Sequence, residues 1–217
     1  MSLHHGGLDI YTPGASTMVY RQLRRMKIPA ELHLYPGKGH GAFGFERGVE
    51  FMRQIGCFGE PAPEEALMDR YASDAARAEL IREDIWPEGR TPDFQENQCK
   101  PYIEWHIPAV KTTDAIQIIY SGGSYTGNDP DGFEVAPARR YLNEKGVTVV
   151  TLKYRTPRPL PESGLSKHTT AWQDIQRAIR IVRSEAAAHG LDPDRIGIMG
   201  SSVGGHLTLM GLTSSSH

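Results

Sequence analysis

"RIGIMGSSVGG", residues 195–205, is the stretch on which the fold turns. Residues 195–200 form a short apolar run with glycines in it, which reads as a strand. Residues 202–213, "SVGGHLTLMGLT", read as a helix. Between them the pattern G-x-S-x-G is met by Gly200, Ser201, Ser202, Val203 and Gly204. A serine at the centre of a strand-to-helix turn is presented sharply, with the helix N-terminus aimed at the same place. Flanking glycines let the turn take unusual dihedrals and let backbones approach closely. The competing reading is a tight βα turn in which Ser202 caps the helix. As a nucleophile, Ser202 needs a base and an orienting carboxylate, and few residues follow it.

Working outward, strand and helix alternate. "PYIEWHIPA" alternates as a strand, and "AIQIIYSGG" is a strand running into glycines. "FEVAPARRYLNEKG" is a helix with a glycine stop, and "VTVVTLKYR" a buried β-branched strand. "TTAWQDIQRAIRIVRSEAAAHG" is a long helix with Trp172, Ile175, Ile179 and Val182 on one face. Near the front, "ASTMVYRQLRRMK" places Met18, Val19, Leu23 and Met26 at helical spacing. "AELHLYP" reads as a strand, "GKGHGAFG" as a loop and "FERGVEFMRQIG" as a second amphipathic helix. The expected class is α/β, a mostly parallel sheet flanked by helices. Residues 58–100, charged and punctuated by proline, read as a linker with a helical stretch near 63–82.

Composition narrows the function. The 217 residues suit one domain, and the net charge of −2 provides no basic field for nucleic acid or anionic lipid. Cys57 and Cys99 fit neither a metal spacing nor a disulfide framework. No apolar run approaches the ~20 residues of a membrane helix. Without a visible secretory signal, a cytoplasmic location is expected. "GKGHGAFG" lacks the G-x-G-x-x-G spacing and a P-loop lysine arrangement, which argues against nucleotide binding.

Four groups complete a serine-hydrolase reading. "YSGGSY", residues 120–125, ends a strand where an oxyanion loop belongs. The N–H groups near Gly123 and Ser124, with that of Val203, are the expected oxyanion donors, against the plainer reading of a glycine turn. Among nine histidines, His40 lies between Gly39 and Gly41 just after a strand, from where it can reach across the top of a sheet. His33 lies inside a strand, His189 ends a helix, and His206 is one turn into the nucleophile helix, all structural settings. Asp9 follows a short apolar-to-glycine stretch where a loop leaves the sheet. Asp192 and Asp194 precede a strand and Asp174 sits mid-helix, so they are poorer candidates.

These residues resemble the acetyl-esterase and acetyl xylan esterase-like α/β-hydrolases. "CKPYIEWHIPA", "IQIIYSGGSY", "YLNEKGVTVVTLKYR" and "WQDIQRAIRIVRSEAAAHGLDPDRIGIMGSSVGGHL" look like that family's opening half. "LHHGGLDIYTPGASTMVYRQLRRMKIPAELHLYPGKGHGAFGF" looks like its closing segment. There the aspartate follows H-G-x-x-D, matched by His5, Gly6 and Asp9, and the histidine lies in a loop matched around His40. The blocks stand in permuted order. A segment carrying one more strand and much of the lid has no counterpart here. The family's oxyanion loop is also richer in glycine, where this chain has Ser121 and Ser124.

The expectation is a single α/β-hydrolase domain over 1–217. Residues 1–57 close it, 58–100 link, and 101–217 carry the oxyanion loop and elbow. Ser202, His40 and Asp9 would form a triad, which is recognised by geometry and not by chain order. The resemblance implies a serine esterase for small acyl groups, acetyl above all, on a sugar or xylo-oligosaccharide. No cofactor or metal is expected. The expected partner is a small ester, with a homo-oligomer admitted and neither nucleic acid nor membrane. The alternative is a non-catalytic hydrolase-like binding module. Tyr125, Phe43 and Phe45 are open to two readings, sugar stacking or core packing.

Overall fold

Strand propensity and burial set the layout of the computed structural model, which describes residues 2–6, 14–27, 30–35, 47, 50 and 79–213. Contacts divide the chain into two units, Met1–Gly59 and Glu60–His217. In the first, strand β1 (Ser2–Gly6), helix α1 (Gly14–Arg25) and strand β2 (Glu31–Tyr35) form a βαβ unit. The strands pair in parallel from Ser2 opposite Glu31 to Gly6 opposite Tyr35. Arg24 and Arg25 in the last turn of α1 suit the negative end of its dipole. Of the apolar positions read from the sequence, Leu23 is buried, while Met18 and Met26 are exposed. The apolar stripe is therefore narrower than the spacing implied. In the expected second helix only Arg47 and Glu50 are described, and both are helical.

The second unit runs β3 (Glu79–Asp84), β4 (Tyr102–Ile107), β5 (Ile116–Tyr120), α2 (Ala136–Glu144), β6 (Thr148–Lys153), α3 (Thr169–Glu185), β7 (Ile196–Gly200) and α4 (Val203–Thr213). Strand order in the sheet is β3-β4-β6-β5-β7. β5 is parallel to β6 and β7, while β4 is antiparallel to β6 and β3. The sheet is thus mixed, with its parallel part at β5, β6 and β7. Every residue of β5 is buried, as a strand covered on both faces requires.

β3 corrects the reading of 79–82 as part of a helical stretch. It pairs from Glu79 opposite Ile107 to Asp84 opposite Tyr102. Its charges hid an edge-strand alternation in which Ile81 packs against the core and Arg82 meets the buried Glu104 across the strands. Ile85 follows, fully buried, and Trp86 Nε1 donates to Asp174 Oδ1 at 2.7 Å.

Under the sheet, Arg155 and Asp174 form a fully buried ion pair. Arg155 Nε lies 3.0 Å from both carboxylate oxygens, and its backbone N–H donates to Oδ2 at 2.8 Å. Its remaining donors reach the carbonyls of Pro92 and Thr170 and the side chain of Gln173. Such a pair is tolerated in a core only when its polar atoms are partnered this fully.

The crossovers place the site. α2 joins β5 to β6, and α3 returns from β6 past β5 to β7. Right-handed crossovers put α2 and α3 on opposite faces, and α4 packs with α3. The connections leaving β5 and β7 therefore diverge to opposite faces, which opens a crevice at the carboxyl ends of those strands. Tyr120 pairs with Gly200, so both loops leave the sheet at the same height. No helix among the described residues is long and apolar enough to cross a membrane.

Candidate active site

Ser202 occupies the left-handed region with φ 52°. A non-glycine residue there costs of order 1–3 kcal/mol and persists only where its surroundings fix it, and such strain collects at functional positions. The surroundings here are glycine. A Cβ on Gly200 would come within 2.3 Å of the Gly204 backbone, and one on Gly204 within 2.8 Å of the Tyr120 and Ser121 carbonyl oxygens. The turn closes tightly enough to press α4 against the end of β5. Ser202 is exposed at its tip, and its carbonyl accepts the His206 N–H at 3.2 Å in the first turn of α4.

The loop after β5 stands beside it. Gly123, Ser124 and Tyr125 have φ 115°, 53° and 61° in succession. The loop is closed by the Thr126 and Gly127 N–H groups, which donate to the Gly123 carbonyl. Among the described residues, the N–H groups of Gly123, Ser124 and Val203 have no acceptor. Gly122 differs: its N–H donates to Glu134 Oε2 at 2.7 Å. The other carboxylate oxygen of Glu134 accepts from Ser201 Oγ at 2.9 Å. Tyr154 supports the loop from within, its hydroxyl donating to the Ser121 and Gly122 carbonyls at 3.0 and 3.1 Å. Burial raises the Tyr154 pKa, so that hydroxyl stays a donor.

His206 is held by the Tyr125 hydroxyl, 2.7 Å from Nδ1, and lies edge-on to His168. Desolvation, then the charges of His168 and Lys167, lower its pKa. Tyr125 is buried and its pKa is pushed up to about 12 by burial, so this ring packs and does not offer a stacking face. Asp9, His40, Phe43 and Phe45 lie outside the described residues. Glu134 and Tyr154 escaped the sequence reading. The one hint was an acidic residue just before a helix start marked by Pro137. No cluster of metal-binding side chains occurs among the described residues.

The elbow and its loop lie within residues 104–217, over which the BD-FAE family model matches this chain, more than half its length. The chain belongs to the BD-FAE family. Its α/β architecture, with the elbow between β7 and α4, is that of the α/β-hydrolase fold. The chain is similar to an acetylxylan esterase of Xylanibacter ruminicola, 33% identical over 89 residues, which is 40% of this chain and 16% of that protein. It is also similar to a probable carboxylic ester hydrolase, LipM, of Mycobacterium tuberculosis, 30% identical over 106 residues, 48% of this chain and 23% of that one. These matches span less than a quarter of either relative. Among solved structures, an acetyl ester-xyloside bifunctional hydrolase from Caldicellulosiruptor lactoaceticus is 31% identical. It covers 61% of this chain and 45% of its own, with a TM-score of 0.49. Asp9 and His40 precede the BD-FAE segment.

Proposed function

We propose that this protein is a serine esterase that cleaves small acyl esters, acetyl esters foremost, by way of an acyl-enzyme. The observation that carries the reading is Ser202 at φ 52° on a turn cleared by Gly200 and Gly204, beside a loop whose Gly123 and Ser124 N–H groups have no acceptor among the described residues. In this reading Ser202 Oγ attacks the ester carbonyl. His40 takes the serine proton and returns one to the leaving alcohol, while Asp9 holds the imidazole tautomer. The N–H groups of Gly123, Ser124 and Val203 receive the oxyanion, and each such donor is typically worth roughly 3–4 kcal/mol in the transition state. The positive end of α4 adds to the same field. Water then releases the acid. The naming of a curated relative as an acetylxylan esterase favours acetyl on xylan-type sugars.

The test is hydrolysis of p-nitrophenyl acetate, with Ser202→Ala, His40→Ala and Asp9→Ala beside the parent protein. Loss in all three variants, with labelling of the parent serine by a fluorophosphonate, supports the triad. A parent that neither turns over ester nor takes the label overturns the esterase in favour of an inert hydrolase-like module. Retained activity in His40→Ala removes that residue as the base.

A further inference from the structure

Glu134 bridges the loop after β5 to the turn after β7, while Tyr125 ties the same loop further on, to His206 in α4. Glu134 Oε2 accepts the Gly122 N–H at 2.7 Å and its Oε1 accepts Ser201 Oγ at 2.9 Å. Each partner is the immediate neighbour of a group that would act on substrate: Gly122 precedes Gly123, and Ser201 precedes Ser202. We propose that Glu134 is a positioning residue that locks the loop after β5 to the turn after β7, and so sets the oxyanion donors against the serine. This role rests on the esterase reading above.

Three observations converge on it. First, Glu134 is itself anchored. The Val135 and Ala136 N–H groups turn back onto the Gly132 carbonyl at 3.0 and 2.9 Å, directly ahead of α2. Second, the other supports of the loop grip Ser121 and Gly122 only from their own side. Tyr154 holds both carbonyls, and the Asp129 N–H donates to Ser121 Oγ at 3.0 Å. Neither reaches the elbow. Third, the space is already full. A Cβ on Gly122 would lie 2.6 Å from Ser202 Cβ and 3.1 Å from Glu134 Oε2. Gly122 is thus wedged between the carboxylate and the serine, and moving one displaces the other.

The chemistry suits a carboxylate. Bonds from N–H and O–H to an ionised oxygen are short and about twice as strong as neutral ones. Two of them on one side chain restrain both loops at once. The cost is a negative charge near the place where an oxyanion develops. Spending the Gly122 N–H on Glu134 reserves the next amides, those of Gly123 and Ser124, for the substrate. A neutral amide of the same shape keeps the bridge: its oxygen accepts from Gly122 and its NH₂ donates to Ser201 Oγ.

The experiment compares Glu134→Ala with Glu134→Gln by ester turnover and by amide hydrogen exchange over residues 121–128 and 201–206. Loss of the bridge should lower kcat about 10²-fold in Glu134→Ala with KM little changed, because misplacement of about 1 Å is costly at a reacting centre. Exchange should quicken in both segments together. Glu134→Gln should keep kcat within about threefold of the parent and keep parental exchange, since the hydrogen-bond geometry survives. Unchanged exchange in Glu134→Ala overturns the bridge. Faster exchange with unchanged kcat overturns its positioning role, as does equal damage from Ala and Gln. Absence of turnover dependent on Ser202 in the parent protein overturns the esterase reading, and the exchange comparison still decides the bridge.

Discussion

Gly122 and Ser202 stand so close that a methyl group on the first would lie 2.6 Å from the Cβ of the second. Real side chains do not approach to that distance, so a substitution must move the loop, the elbow or both. Gly122→Ala is expected to lower kcat about 10²-fold. The stability cost should be about 1–3 kcal/mol, as for other overpacked sites. Steady-state kinetics beside a urea melt would check it. A variant with parental kcat would mean that the two loops are less tightly joined than the structure places them.

Ser202→Ala should abolish ester hydrolysis, a loss on the order of 10⁶ in turnover. Ser201→Ala should do much less, about the 10²-fold expected of Glu134→Ala, since it breaks the elbow end of the same bridge. Ser202→Gly separates strain from chemistry. It too should be inactive, yet melt above Ser202→Ala, because glycine takes φ 52° without the ~1 kcal/mol that alanine pays there. Equal melting temperatures for the two variants would remove the strain argument.

The Arg155–Asp174 pair should be the most sensitive point of the core. Asp174→Ala leaves a buried guanidinium with its main partner gone, an expected loss of about 3–5 kcal/mol. Trp86→Phe removes one donor to the same carboxylate and should cost about 1 kcal/mol. Chemical denaturation of both variants measures the two losses, and their order is the prediction.

His106 should give the fold an acid-sensitive term. Burial, helped by the charge of Arg139, lowers its pKa from 6.5 to about 4. The unfolded chain therefore binds a proton between those values that the folded chain refuses. Stability contributed by the neutral ring is complete above pH 6.5 and is lost as pH falls towards 4. The full swing is about 3 kcal/mol. His106→Gln should flatten the fall in melting temperature between pH 7 and 4.5. An unchanged slope would assign the acid sensitivity elsewhere.

Acyl-chain preference should fall from acetyl to octanoyl esters, with kcat/KM declining by more than about tenfold. The motivation is the likeness to an acetylxylan esterase. A series of p-nitrophenyl esters reads this directly, and comparable values for the long chain would reject the small-acyl assignment.

The legible part of this molecule was the part written in short-range pattern. β5, β6, β7, α3 and α4 are each a run of one period bounded by glycine or polar residues, and the elbow is a contiguous motif. Pairing direction is not contiguous. β4 reads as a strand, but nothing in "YIEWHI" says that it runs antiparallel to β6. β3 was hidden because an edge strand carries charge: Arg82 and Asp84 are exposed on one face, and Glu79 and Glu83 flank Ile81 on the other. Asp174 was set aside as a mid-helix residue, since its partner Arg155 lies on another segment and only the crossover brings them together. Glu134 was invisible for the same reason: its partners are 12 and 67 residues away. The triad partners read at Asp9 and His40 belong to residues outside those described.

The pairing of Tyr120 with Gly200 works as a length gauge. Deleting one residue from β5 would retract its loop by about 3.3 Å and turn its side chains to the opposite face. The loop and the elbow would then miss each other by more than any rotamer change could recover. Strand length in this pair is therefore closed to variation, whereas the mostly exposed stretch 160–167 ahead of α3 carries no such gauge. Insertions that remodel the molecule should be accepted there and refused at β5 and β7. A library of single-residue insertions, scored for soluble folded protein and for ester turnover separately, would draw that boundary residue by residue.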